Sequence, residues 1–583
     1  MLFDSTLPRP EVPRPQFERV DWLNLNGPWT FCYDAGGSGL ERGLAASQGF
    51  DQQIIVPFCP ESALSGVGHT DFIDHLWYHR LISIPAEWTG KRTWLHFGAV
   101  DYECEAFIDG KRVGRHWGGT SSFAFDLTAH ITPGGEHHLV LAVHDDVRSK
   151  RQPGGKQSQR FNSHNCYYTR TTGIWQTVWL EAVHSFGLES VQVVPDLDTA
   201  RFVVTPRFFA VRRGLTLRVT ALANGTQVSQ VERPALNGLS LDLQLSSTRV
   251  WSPQDPFLYD LRFEVLDGAQ VLDSVNSYAG LRKVHIEGDQ FFLNNEPLYL
   301  RLVLDQGFYP TGIWTAPCDA ALRRDIQLAQ SAGFNGARLH QKVFEERFHY
   351  WADRLGYLTW GESSSWGMDL KEPVGARNFL SEWREIVTRD RNHPSIVAWT
   401  PFNETHDVGD GRQHGRVHTD GYDLTRDLDP TRPVNDASGY VHVKTDLWTT
   451  HTYEQDPVKL GEQLALKNGQ VFRNFPEREI PYSGQPYMVD EFGGIKWIPA
   501  ERNPFASDSW GYGTGPRSLE EFYQRLEGQV NSLLALKHIT GFCYTQLTDV
   551  EQEQNGVYNY DRTEKFDMER IAQIFRKLQP ETI

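Results

Sequence analysis

From about residue 20 to 185, apolar and polar residues alternate over short runs broken by Gly and Pro. Trp94-Leu-His-Phe-Gly-Ala-Val and Cys104-Glu-Ala-Phe-Ile-Asp-Gly-Lys-Arg-Val-Gly are two such runs, the second turning at Asp109-Gly110 as a hairpin would. Leu139-Val-Leu-Ala-Val and Gln176-Thr-Val-Trp-Leu-Glu continue the pattern, which predicts a jelly-roll-like β-sandwich over residues 1–185. A polar stretch at 149–173, containing Gln152-Pro-Gly-Gly-Lys-Gln157, interrupts it. A loop that long inside a domain is functional or disordered as a rule. Over residues 186–280, Arg201-Phe-Val-Val-Thr-Pro, Leu215-Thr-Leu-Arg-Val-Thr-Ala and Leu258-Tyr-Asp-Leu-Arg-Phe-Glu-Val alternate in the same way. The size and strand spacing predict an immunoglobulin-like β-sandwich.

The period changes after about residue 281. Leu322, Ile326 and Ala329 recur at helical spacing before Gly333, and Phe379, Trp383, Ile386 and Val387 mark a second helix. Buried-looking strands fall near 299–303, 335–340, 357–362, 396–402, 433–437, 446–453, 486–491 and 541–546. Eight strands interleaved with helices predict a (β/α)8 TIM barrel over residues 281–583, which makes the chain multidomain.

Composition narrows the function. The chain has 583 residues, enough for several domains, and 39% are hydrophobic. A formal charge of −17 argues against a nucleic-acid or anionic-membrane partner. The 18 Trp suit sandwich cores or sugar-stacking surfaces, and cores are the commoner use. Six scattered Cys without a Cys-x-x-Cys read as reduced thiols of an intracellular protein. No signal peptide and no run of about 18 apolar residues is visible, so the expected location is the cytoplasm.

Two of the barrel strands end on acids. Ser395-Ile-Val-Ala-Trp-Thr-Pro-Phe-Asn-Glu404 closes the fourth and Tyr487-Met-Val-Asp-Glu491 the seventh. Strands four and seven face each other across the barrel mouth, where active sites are built. Either acid alone reads as a solvated strand end, but the pair is the equipment for cutting a glycosidic bond. A separation of about 5–5.5 Å implies retention of anomeric configuration, and about 6.5–9.5 Å implies inversion. Glu404 is the expected acid/base, which calls for a pKa raised toward neutrality. Glu491 is the expected nucleophile, ionised, with Tyr453 as a hydrogen-bond donor and Asn403 reaching a sugar hydroxyl.

Arg391-Asn-His-Pro-Ser-Ile-Val-Ala-Trp-Thr-Pro-Phe-Asn-Glu404 resembles the acid/base signature of glycoside hydrolase family 2, the β-galactosidase and β-glucuronidase group. Leu25-Asn-Gly-Pro-Trp-Thr-Phe, Trp77-Tyr-His-Arg, Leu95-His-Phe-Gly-Ala-Val-Asp and Gly173-Ile-Trp-Gln-Thr-Val-Trp-Leu-Glu look like its sugar-binding module. Phe334-Asn-Gly-Ala-Arg-Leu-His and Trp351-Ala-Asp-Arg-Leu-Gly-Tyr-Leu-Thr-Trp-Gly-Glu look like its second and third barrel strands. The resemblance covers nearly the whole chain and implies sandwich, immunoglobulin-like domain and barrel in that order, a retaining mechanism, and assembly as a homo-oligomer through the β domains.

Around the acids we place Asp305, Arg338, His340, Glu362, His451, Tyr453, Tyr544 and Gln546, all near strand ends. Arg338 is expected to orient the nucleophile. His340 holds a sugar hydroxyl or is structural, and Glu362 binds sugar or joins a salt bridge. Tyr544 stands where the family commonly has Trp, and Trp360 and Trp366 read as core.

The family's β-glucuronidases clamp the sugar carboxylate with an Asn-x-Lys pair before a Gly. The matching place here reads Glu553-Gln-Asn-Gly556, an added acid that repels a uronic acid. The additional C-terminal domain and the magnesium-site pattern of the large β-galactosidases are not found either. The expected substrate is therefore a glycoside with a neutral non-reducing terminal sugar: galactose first, with arabinose, glucose or xylose behind it. A β-glucuronidase or arabinosidase of the same family is the alternative, and an inactive carbohydrate-binding protein is the rival from another class. A metal-dependent hydrolase using His340, His406 and His451 lacks a His-x-His and ligand spacing on a helix, so neither metal nor cofactor is expected.

Overall fold

The computed structural model describes residues 7–406, 411–499 and 509–579. In the first sandwich, a six-stranded antiparallel sheet runs in the order Gln52–Val56, Gly27–Tyr33, His75–Ser83, Glu136–His144, Glu103–Ile108, Lys111–Trp117. A four-stranded sheet faces it, with Val178–Val183 and Arg92–Phe97 at its centre. Strand Arg92–Phe97 shows the logic, since Thr93, Leu95 and Phe97 are buried and the residues between them half-exposed. The hairpin at Asp109-Gly110 forms, both residues taking positive φ (49° and 77°) as a type I′ turn demands.

Seven strands between Leu188 and Ala279 make the second sandwich, three on one sheet and four on the other, closing on Leu217, Val219, Leu261 and Phe263. A small three-stranded sheet follows (Val284–Glu287, Gln290–Leu293, Glu296–Pro297), which strand periodicity did not anticipate. Its Val284, Phe291 and Leu293 join Leu300, Leu302, Leu358 and Met488 in one cluster, plugging the barrel interior from below.

The barrel strands are Leu300–Asp305, Gly336–Leu339, Leu358–Glu362, Ile396–Thr400, Ala437–Ser438, Trp448–Thr452, Tyr487–Gly493 and Ile539–Thr545. Seven of them form one parallel sheet, from the fourth through the first and eighth to the sixth. The fifth is cut to two residues that pair with Phe402–Asn403, helped by a bridge between Trp399 and Val434. The gap from fifth to sixth is closed by side chains, with Gly439 N donating to Thr449 Oγ1 at 3.0 Å. Helices lie outside; Pro373 and Pro457 open two of them under side-chain caps from Glu372 and Asp456.

The 149–173 loop leaves the first sandwich and lies on the barrel mouth. Gly154 N donates to Trp366 O at 2.7 Å and Gly155 N to Ser364 O at 3.0 Å. Gly155 has φ +57°, and a Cβ there would sit 2.2 Å from the Gln341 carbonyl oxygen, so the backbone contact requires glycine.

Candidate active site

Alternation along each barrel strand sorts the side chains. On the first strand Leu302 and Leu304 face the barrel interior and Val303 the helix layer. Asp305 shares the outward phase of Val303. It accepts from Gly307 N at 2.9 Å, and burial with repulsion from Asp325 pushes it up to about 6. The same parity turns Tyr544 outward onto Phe492 and Phe575, with ring centroids 5.6 and 5.2 Å away. Asp305 and Tyr544 are therefore corrections: both belong to the packing between barrel and helices.

Strand seven escapes this parity. Val489 and Phe492 both face the helix layer, three positions apart, and the register against the neighbouring strands jumps there. Opposite strand six, Thr450 pairs with Val489 and His451 with Glu491, which leaves Asp490 as an extra residue. This β-bulge points Asp490 and Glu491 inward together.

Arg338, fully buried on strand two, ties the site together. Its Nε donates to Glu362 Oε2 at 2.6 Å, Nη1 to Glu491 Oε1 at 2.9 Å, and Nη2 to Asn403 Oδ1 at 2.6 Å and His340 Nδ1 at 2.9 Å. Glu362 spends its other oxygen on Gln341 N at 3.1 Å, so it is a salt-bridge member. Burial, with the cations Lys156 and Arg338 nearby, holds His340 well below its ordinary pKa and neutral. Asn403 keeps a buried Nδ2 that has no partner among the described residues.

Tyr453 OH donates to Glu491 Oε2 and lies 3.1 Å from Thr545 Oγ1. Burial pushes the Glu491 carboxyl up, but His451 and Arg338 overcome it and bring the group down to about 2. His451 stands between the acids, with Nδ1 2.7 Å from Glu404 Oε1 and 3.5 Å from Glu491 Oε2. Burial lowers its pKa, yet Glu491 and Asp490 carry it up to about 10. The imidazolium donates Nε2–H to Ser438 Oγ at 2.9 Å, and that hydroxyl donates to Asp490.

Glu404 follows strand four at φ 46°, a left-handed conformation costing about 1–3 kcal/mol in a non-glycine residue. Its N–H donates to Ser438 O at 3.0 Å, which holds it there. Its side chain is 18% exposed against 6% for Glu491, so Glu404 sits at the rim and Glu491 deeper. One oxygen of each acid and a nitrogen of His451 lie within 4.8 Å of one another. The spacing also suits a cation, whose binding would require His451 to give up its Nδ1 proton. His406 packs on Tyr440 and Phe475, apart from that trio.

A cleft of about 460 Å³ opens beside Glu404, lined by Asn403, Trp366, Tyr167 and Gln159 among others. Trp360 is core, as expected, whereas Trp366 lines the cleft and donates Nε1–H to Asn403 O at 3.0 Å. Gln546 accepts from Gln306 and donates one amide hydrogen to Asn555 Oδ1 at 2.8 Å. Sequence reasoning missed Asp490, Ser438, Lys156 and the Tyr168–Glu553 hydrogen bond. The length of the 149–173 loop was the one signal for the last two.

Family models match three successive segments. Residues 68–182 match the sugar binding domain of glycosyl hydrolases family 2, 188–282 the family 2 domain, and 284–473 its TIM barrel domain. Glu404 lies inside the last match and Glu491 beyond it. A putative β-glucuronidase of Formosa agariphila is 28% identical over 74% of this chain and 38% of the relative. A β-galactosidase of Thermoanaerobacter pseudethanolicus is 24% identical over 82% of this chain and 62% of the relative, so the chain spans less than two thirds of both. A β-glucuronidase of Paenibacillus borealis is 24% identical over 81% and 82%. The crystal structure of Ruminococcus gnavus β-glucuronidase superposes with a TM-score of 0.81 at 19% identity, covering 99% of this chain and 100% of that one, a likeness of fold. Three domain models in order, on the architecture described above, place the chain in glycosyl hydrolase family 2.

Proposed function

We propose that the chain is a retaining, exo-acting glycosidase that removes a neutral terminal sugar, galactose first, from β-glycosides. The observation that carries this reading is the convergence of Glu404 and Glu491 on one pocket, one oxygen of each lying within 4.8 Å of the other, in keeping with the short carboxyl separation of a retaining enzyme. Glu491, ionised and oriented by Arg338 and Tyr453, attacks the anomeric carbon as the bond to the leaving oxygen breaks. Glu404 at the rim gives that oxygen a proton. It then takes one from water, which attacks the same carbon and frees Glu491. The buried Nδ2 of Asn403, without a partner among the described residues, supports a role as donor to a ring hydroxyl. The near-burial of Glu491 suits a terminal ring entering a blind pocket better than a chain passing through.

The relatives are named both β-galactosidase and β-glucuronidase, so the sugar has to be argued from this chain's own residues. Glu553, buried at the mouth, favours a neutral ring over an anionic one. A panel of aryl glycosides tests the choice: galactoside turnover is expected to lead, and a lead for the glucuronide overturns it. Glu491→Gln should cut kcat by roughly 10⁴-fold or more while leaving sugar binding measurable. Unchanged turnover in that variant refutes the assignment, and no turnover in the wild type favours a carbohydrate-binding protein.

A further inference from the structure

Lys156 is a buried cation that the mechanism above does not use. It sits in the sandwich loop, 7% exposed, and its ammonium forms neither a hydrogen bond nor an ion pair with any described residue. Its ammonium rests on the face of Trp366, 4.2 Å from the ring centroid. The backbone on both sides is fixed: Gly155 is wedged against the barrel, and Tyr168 N donates to Lys156 O at 2.8 Å. Burial disfavours the charge, yet Cys166, Glu553, Glu491 and Glu404 together raise its pKa above the ordinary lysine value. An ammonium so placed loses most of its water without recovering the three hydrogen bonds it can donate. A ligand oxygen arriving beside the two acids would restore them.

Glu553 belongs to the same corner. Its oxygens accept from Tyr168 OH and from Asn555 Nδ2, the latter at 3.0 Å, and each keeps a further lone pair. A sugar carboxylate drawn to Lys156 would also meet Glu553, which repels it. A hydroxyl accepts from one and donates to the other.

We infer that Lys156 and Glu553 together read one neutral hydroxyl of the terminal ring, so that the first sandwich supplies a specificity-determining residue to the barrel's site. The inference rests on the glycosidase reading above and names the feature of the substrate that the site recognises.

The test compares kcat/KM of wild type, Lys156→Met and Glu553→Gln on the preferred aryl glycoside and on its 2-, 3-, 4- and 6-deoxy analogues. At one position the wild type should lose roughly 10- to 100-fold on deoxygenation, the scale of a hydrogen bond to a charged group. Both variants should lose a similar factor on the parent and little more on that single analogue. An equal loss on the parent and every analogue would show a merely structural role and overturn the inference. So would a wild-type preference for the glucuronide that Lys156→Met abolishes, because Lys156 would then read a carboxylate. A wild type that turns over no glycoside removes the parent reading, and this one with it.

Discussion

His451 and Glu491 carry opposite charges 3.5 Å apart, and burial opposes the charge on each. Each survives because the other is there. For Glu491, brought from an ordinary 4.5 to about 2, the stabilisation is complete above 4.5 and drains away as pH falls toward 2. For His451, carried from 6.5 to about 10, it is complete below 6.5 and drains away as pH climbs toward 10. The melting temperature of the wild type should therefore fall across that alkaline interval, and His451→Asn should fall less. A variant that keeps the full wild-type slope would assign the alkaline loss to other groups. At this scale much of the site is readable from the chain alone. Asn403, Glu404 and Glu491 declare themselves because each follows an apolar run that ends at the mouth, and Tyr453 because it follows a strand that ends there. Lys156 does not, since nothing in its neighbours' polarity says where a Gly-rich loop will dock.

The element that decides the site is a strand with one residue too many. Strict alternation would send either Asp490 or Glu491 into the helix layer, and the bulge spares both. Two consecutive acids at the end of an apolar strand are a legible hint of such a bulge. The outward phase of Asp305 and Tyr544 was not legible, because parity depends on where pairing begins and strand limits are uncertain by a residue or more. The signature around Glu404 also divides by position. Asn403 and Glu404 serve the mouth, whereas Asn392 at the opposite end of strand four bonds Val191 O and Val193 N in the second sandwich, both at 2.9 Å. The docked loop gives the prediction for this scale. Gly155→Val would drive a side chain into Gln341 O and force φ out of the left-handed region, lifting the loop. We expect kcat/KM to drop at least about tenfold, with circular dichroism unchanged, because the barrel's own strands do not pass through that position. Undiminished kcat/KM would show that the loop is no wall of the pocket.

Across the whole molecule, buried charges fasten the domains. Arg19 donates to Glu181 in the first sandwich and to both oxygens of Asp273 in the second, the latter at 2.9 Å. Thr120 of the first sandwich donates N–H and Oγ–H to Glu382 on a barrel helix, at 2.8 and 2.6 Å. Removing one partner strands the others, so Arg19→Ala should cost about 3–5 kcal/mol and lower the melting temperature. An unshifted melting curve would mean that this joint is not shared by the folded domains. Three regions were legible from texture alone, because period two and period 3.6 separate cleanly over long stretches. The plug at Val284–Glu287 and Gln290–Leu293 was not, since short hairpins beside a barrel look like one more strand.

A pocket wall borrowed from a neighbouring domain has an evolutionary corollary. Substitutions in a loop whose own fold does not depend on them can retune which sugar is accepted, while the reacting carboxylates stay untouched. Exchanging that one segment between related enzymes should carry sugar preference along with it and leave the chemistry behind.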